Sequence, residues 1–240
     1  MGPVIKVCEL VTRRPDLDVQ AFQRYWRDVH GPIVAAIPGL VRYVQSHPRL
    51  GGYRNGPLVY DGVAELWVQD KAALTTMATT AQFVAAKADE PNFIDTTTLV
   101  ELVVDEHTIK DSGTGKDSGT GAEQSRPAQH AAIKSIGFVR FRADLAVAEA
   151  QRYWREVHAP LAAEIEVLRR YTQSHVRLGA YRDGRRPAWD GLAMTWFDSL
   201  EDMRASARTA AYRATIEDGP LLLASPVTPT ILCHELVLVP

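Results

Sequence analysis

RYWRDVHGP at residues 24–32 and RYWREVHAP at residues 152–160 are one phrase written twice. The same offset of 128 lays RYVQSHPRLGGYR (42–54) on RYTQSHVRLGAYR (170–182), with ten of thirteen residues identical. One residue is then gained, so that DGVAELW (61–67) matches DGLAMTW (190–196). A repeat of this length marks a tandem duplication and sets the fold to be sought as that of one half. Between the halves, DSGTG occurs twice in HTIKDSGTGKDSGTGAEQSRPAQH, a stretch with almost nothing apolar to bury. We therefore divide the chain into a first domain at 1–108, a flexible Gly/Ser-rich linker at 109–130 and a second domain at 131–240.

Each half alternates strand and helix signals in the order βαββαβ. VIKVCELV opens the first half as a β-branched run. AFQRYWRDVHGPIVAAI follows with apolar residues at Phe22, Trp26, Val29, Ile33 and Ile37, a helical stripe. Asp16 or Asp18 supplies a helix cap, and Leu17 with Phe22 has the spacing of a hydrophobic staple. Gly31 and Pro32 predict a kink or a second short helix after His30, because proline donates no ladder hydrogen bond. LVRYVQSH and DGVAELWVQD read as strands, DKAALTTMATTAQFVAAKAD as one helix and TTTLVELVVDEH as the last strand. This order indicates an α+β chain of tandem ferredoxin-like units, each a sheet with helices on one face. The uncovered face needs a partner, and the duplication supplies a second sheet in the same chain, giving an intrachain pseudo-dimer packed sheet to sheet.

Composition limits the function classes. The 240 residues are 46% hydrophobic and carry a formal charge of −2, with no basic run to track phosphates. Neither nucleic acid nor a membrane is expected as a partner, since no apolar stretch approaches the length of a span, and a cytoplasmic protein is the default. Cys8 and Cys233 sit in strand-like apolar runs without metal-ligand spacing and read as buried thiols. DSGTGK lacks the spacing of a phosphate-binding loop.

Period 2 along the second strand sets Val41, Tyr43, Gln45 and His47 on one face. Tyr171, Gln173 and His175 repeat the polar row. A Tyr-x-Gln-x-His row is too polar for a plain core, since each buried group needs a hydrogen bond, and it suits a lined cavity or a hydrated rim. His30 and its counterpart His158 stand four residues after Trp26 and Trp154, a spacing that lets imidazole meet indole on an α-helix.

The run YWRDVHGPIVAAIPGLVRYVQSH, a DG-x-AE-x-W strand and a late FID resemble the EthD family of dimeric α+β barrel proteins, and the second half resembles a further copy. The resemblance covers nearly the whole chain apart from the linker. It implies a barrel of ferredoxin-like units with a pocket in each unit for a small hydrophobic, often aromatic or polyketide-like, carbonyl compound. Chemistry in that wider group includes dehydration, decarboxylation, cyclisation, isomerisation and cofactor-free oxygenation, and some relatives bind haem.

On this reading the chain is a cofactor-independent proton-transfer enzyme of the lyase or isomerase kind. His30, His47, Tyr43 and Gln45, with His158, His175, Tyr171 and Gln173, are the catalytic candidates. Tyr25, Trp26, Trp67, Asp61 and Glu65, with Trp154, Trp196 and Asp190, are the substrate-binding candidates. No metal site is specified by the histidine spacing. A cofactor-free or haem-dependent oxygenase and a non-catalytic small-molecule-binding protein are the alternatives, and further homodimerisation is left open. Glu65 aligns with Met194 and Asp95 lacks a counterpart, which favours the first half as the working site.

Overall fold

A computed structural model describes residues 4–112 and 133–240. The first repeat forms β1 (Ile5–Val11), α1 (Val19–Tyr25), α2 (Gly31–Ala35), β2 (Leu40–Pro48), β3 (Gly62–Val68), α3 (Lys71–Met77), α4 (Ala81–Asp89) and β4 (Val100–Asp111). The second forms β5 (Ile133–Val139), α5 (Val147–Tyr153), α6 (Ala159–Ala163), β6 (Leu168–Val176), β7 (Gly191–Phe197), α7 (Leu200–Ser206), α8 (Ala210–Leu222) and β8 (Thr230–Val239). In hydrogen-bonded order the strands run β1-β3-β2-β8-β5-β7-β6-β4 and close as a barrel. The expected α+β, ferredoxin-like barrel is the architecture observed.

Two compact units result, and they do not coincide with the repeats. One comprises Met1–Asp105, Gly179–Ala188 and Ile231–Pro240, the other Glu106–Leu178 and Trp189–Thr230. In the first unit β8 pairs with β2, His234 opposite His47. In the second, the end of β4 lies with the second repeat, and Ser112 N–H donates to the Arg169 carbonyl. Residues 109–111, read as linker from composition, therefore continue β4, and Ile109 packs against the Leu168–Tyr171 core. The rest of that linker lies outside the described residues.

Local signals explain most elements. Asp18 caps α1 by accepting from Ala21 N–H, and Leu17 packs on the core that contains Phe22. The run expected as a single helix at 70–89 is two, α3 and α4, because the Thr80 hydroxyl caps a fresh start by accepting from Phe83 N–H. Thr209 does the same for α8. Asp61 is buried and accepts from Arg13 N–H, the Arg13 guanidinium and Tyr53 OH. Asp190 likewise accepts from Phe141 N–H. Both carboxylates tie loops down, and the structure does not bring them to the histidines. Cys8 and Cys233 are buried thiols.

Candidate functional site

The repeated phrase folds into an unusual turn. Trp26–His30 is a π-helical segment, and Gly31 N–H closes it by donating to the Trp26 carbonyl five residues back. Trp154–His158 repeats it, with Ala159 donating to Trp154. Pro32 contributes no N–H, so the helix has already lost a ladder bond here and the wider register costs less. A second short helix starts directly after His30, as proline dictates.

The wider turn changes which side chains meet. At i→i+5 spacing, Tyr25 and His30 come onto one face, and Asp89 at the end of α4 receives both. Tyr25 OH donates to Asp89 Oδ1 at 2.7 Å, and His30 Nδ1 lies 2.9 Å from Oδ2. The second unit copies this with Tyr153 OH on Asp218 Oδ1 at 2.6 Å and His158 Nδ1 on Oδ2 at 2.7 Å. A carboxylate only accepts, so each neutral imidazole carries its proton on Nδ1 and leaves Nε2 as a bare base. Among the described residues neither Nε2 has a hydrogen-bond partner. Burial holds His30 below its ordinary pKa, against the opposing pull of Asp89. Burial also works to raise Asp89, but hydrogen bonds from Tyr25, Asn92 and His30 outweigh it and the carboxyl stays below its usual range.

The expected stacking of His30 on Trp26 does not occur, because the i+4 coincidence belongs to an α-helix. His30 packs on Phe93, with ring centroids 4.6 Å apart, and it is His47 that lies 4.5 Å from Trp26. His175 stacks on Trp154 at 4.5 Å with the rings 5° from parallel. The chain continues as helix beyond His30, and burial is the main influence on its charge.

The Tyr-x-Gln-x-His row faces the helices. Gln45 Nε2 donates to the Trp26 carbonyl at 3.0 Å and to Tyr43 OH at 2.8 Å, while its Oε1 accepts from His47 Nε2 at 2.8 Å. Gln173 makes the same three bonds to Trp154, Tyr171 and His175. Both amide ends are spent, so the glutamines position the π turn and the neighbouring rings. Burial pushes His47 down to about 4 and His175 to about 3, which keeps both neutral at physiological pH. The Tyr43 hydroxyl is pushed up by burial, and that of Tyr171 reaches about 12.

Trp67, Trp196 and Glu65 belong to the other face of the sheet. Glu65 pairs with buried Lys6 at 2.8 Å and accepts from Ser46 OH, and Lys6 Nζ sits 4.6 Å from the Trp67 centroid. In the second unit Lys134 and Arg170 flank Trp196. These residues do not join the His–Asp–Tyr groups.

Sequence reading missed Asp89 and Asp218. Both stand in Asp-x-Pro, Asp89 to Pro91 and Asp218 to Pro220, at the offset of 129 that the DG-x-A strands had already set. It also missed His107, 4.7 Å from His175, and His234, opposite His47, because each comes from a strand at the far end of a repeat. Among the described residues no group of three or more His, Cys, Asp or Glu could hold a metal ion, and no helix is long and apolar enough to cross a membrane.

Two βαββαβ repeats, each with a buried His–Asp–Tyr group where the helix meets the sheet, define a dimeric α+β barrel built in one chain. The EthD domain model matches residues 14–97 and 142–220, and the chain belongs to the EthD family with two such domains in tandem. No curated protein matches the sequence. Among solved structures, an anthrone oxidase-like protein superposes with a TM-score of 0.61 at 13% identity, over 98% of this chain and 93% of its own. A Lactobacillus acidophilus protein provisionally assigned as a monooxygenase gives 0.55 at 12% identity, over 99% and 96%. A protein provisionally assigned as a chlorite dismutase gives 0.52 at 9% identity, over 100% and 97%. At these identities the likeness is one of fold.

Proposed function

We propose that the chain is a cofactor-independent enzyme that moves protons on a hydrophobic, aromatic or polyketide-like carbonyl compound. One observation carries this reading: in both units an Asp carboxylate fixes Nδ1–H of a buried histidine, whose Nε2 has no hydrogen-bond partner among the described residues. Such a base abstracts a proton α to a carbonyl and returns it to carbon or to a leaving hydroxyl, the common step of isomerisation, cyclisation and dehydration. His30 is neutral at pH 7 because burial disfavours its charged form, so it enters the reaction as base. The Asp carboxylate then stabilises the imidazolium formed, and the Tyr25 and Tyr153 hydroxyls hold that carboxylate in place. The rings of Trp26, Phe93 and Trp154 supply an apolar surround.

The test is exchange in deuterated water. With a panel of aromatic ketones bearing α-protons, the protein is expected to catalyse loss of the α-proton NMR signal, and a His30→Ala, His158→Ala double variant is expected to lose that activity. Binding without exchange across the panel would favour the small-molecule-binding alternative. The haem alternative would draw on the same Nε2 atoms, since a neutral imidazole tied to a carboxylate through Nδ1 is suited to ligate iron. A Soret band in the purified protein would select that reading.

A further inference from the structure

The two Asp carboxylates do not receive the same hydrogen bonds. In the first unit α4 ends in a 3₁₀ turn over Glu90–Asn92, with Asp89 standing directly before it. Side chains three residues apart eclipse one another in such a turn, which brings Asn92 back to Asp89. Asn92 Nδ2 donates to Asp89 Oδ1 at 2.9 Å, beside the Tyr25 hydroxyl that donates to the same oxygen at 2.7 Å. Oδ1 is thereby engaged twice, and Oδ2 is the oxygen that accepts from His30 Nδ1 at 2.9 Å. Together these three bonds outweigh burial and keep the Asp89 carboxyl below its usual range.

In the second unit Leu221 stands where Asn92 does, and α8 runs on as helix to Leu222. The Leu221 side chain is exposed and has no donor to offer. Among the described residues the Asp218 carboxylate accepts from Tyr153 OH and His158 Nδ1 only. The charged surroundings differ in the same sense. Burial is the largest influence against a charge on His30, and Lys87 on α4 adds to it, whereas Ile216 holds the matching position on α8. Lys87 is itself tied to Glu9, Glu90 and Glu101 at 3.5, 2.8 and 2.9 Å. No residue of α2 or α6 is charged, and on the π turns Arg27 pairs with Asp28 and Arg155 with Glu156 in solvent. The charged residues of α8 are Arg213, Glu217 and Asp218, and His47 on β2 and His175 on β6 are neutral.

A carboxylate that serves more donors spreads its charge among them and holds each one less strongly. We propose that Asn92 is a positioning residue found in the first unit only, which makes Asp89 a weaker acceptor for His30 than Asp218 is for His158. This rests on the proposed reading of the His–Asp groups. The difference between the halves then lies at Asn92 and Leu221 and not at Glu65, which belongs to the other face of the sheet.

Proton NMR of the full chain, labelled with nitrogen-15 in histidine, tests the proposal without any substrate. The Nδ1-bound proton of each ring, assigned through the alanine variants, moves downfield as its hydrogen bond to the carboxylate strengthens. Asn92→Leu, a change at the surface, removes a donor and concentrates charge on Asp89, which favours the imidazolium. It is expected to move the His30 proton downfield and to raise the midpoint of the His30 titration by about half a unit to one unit, the worth of one hydrogen bond. Leu221→Asn is expected to move the His158 proton upfield. In a His158→Ala background the acid limb of α-proton exchange should follow the His30 midpoint while KM stays unchanged. An Asn92→Leu protein in which neither His30 signal moves would overturn the proposal, as would a His158 proton that stays in place or moves downfield in Leu221→Asn. Histidine signals that follow these variants in a protein without α-proton exchange sink only the proton-transfer reading. Exchange in a protein whose histidine signals ignore them sinks only the proposal.

Discussion

Asp89→Asn and Asp218→Asn together are expected to lower kcat for α-proton exchange by on the order of 10²- to 10⁴-fold, the range that a positioned general base contributes. An asparagine of nearly the same shape keeps the packing but can turn its amide nitrogen toward His30 or His158. Nδ1 then becomes the acceptor and the proton moves to Nε2, which removes the base without removing the ring. KM should change little, since the carboxylate does not hold substrate. A drop in KM-related binding with unchanged kcat would mean that the pair only shapes the site.

The second large effect is on stability. Trp154→Ala is expected to cost about 3–5 kcal/mol in urea unfolding, the usual range for emptying a fully buried aromatic position. Trp154 is 1% exposed, fills the space left open by Gly191, stacks on His175 and meets Phe141 edge-on. Trp26→Ala should cost a similar amount, since that ring lies over Gly62 and packs beside Phe22 and His47. The two glycines explain why DG opens both third strands: any Cβ there would enter an indole ring. A loss below about 1 kcal/mol for either variant would show that the site collapses around the missing ring.

The duplication, the βαββαβ order and the helix-side row of Tyr43, Gln45 and His47 were legible because each is written locally, in a repeat offset or a period of two. The row's purpose was not. A lined cavity was one reading of its polarity, and the partners turned out to be the Trp26 carbonyl and the row itself. The π turn escaped because the sequence near Trp26 fits an α-helical stripe equally well, and only the Pro32 break hints at a change of register. That one shift decides the site, exchanging a His30–Trp26 contact for a His30–Asp89–Tyr25 group. The placement of β8 beside β2 escaped for a different reason: an alternating strand specifies its two faces but not its neighbour. His234 and His107 therefore arrive beside His47 and His175, each from the other repeat.

The central claim is that a carboxylate in each unit fixes the tautomer of a buried histidine. Nitrogen-15 NMR of the histidine-labelled protein at pH 7 measures this directly. His30 and His158, assigned by comparison with their alanine variants, are predicted to show protonated Nδ1 and unprotonated Nε2, with the pattern reversed in Asp89→Asn and Asp218→Asn. Rings protonated on Nε2 in the wild-type protein, or unchanged by the asparagine substitutions, would contradict the account.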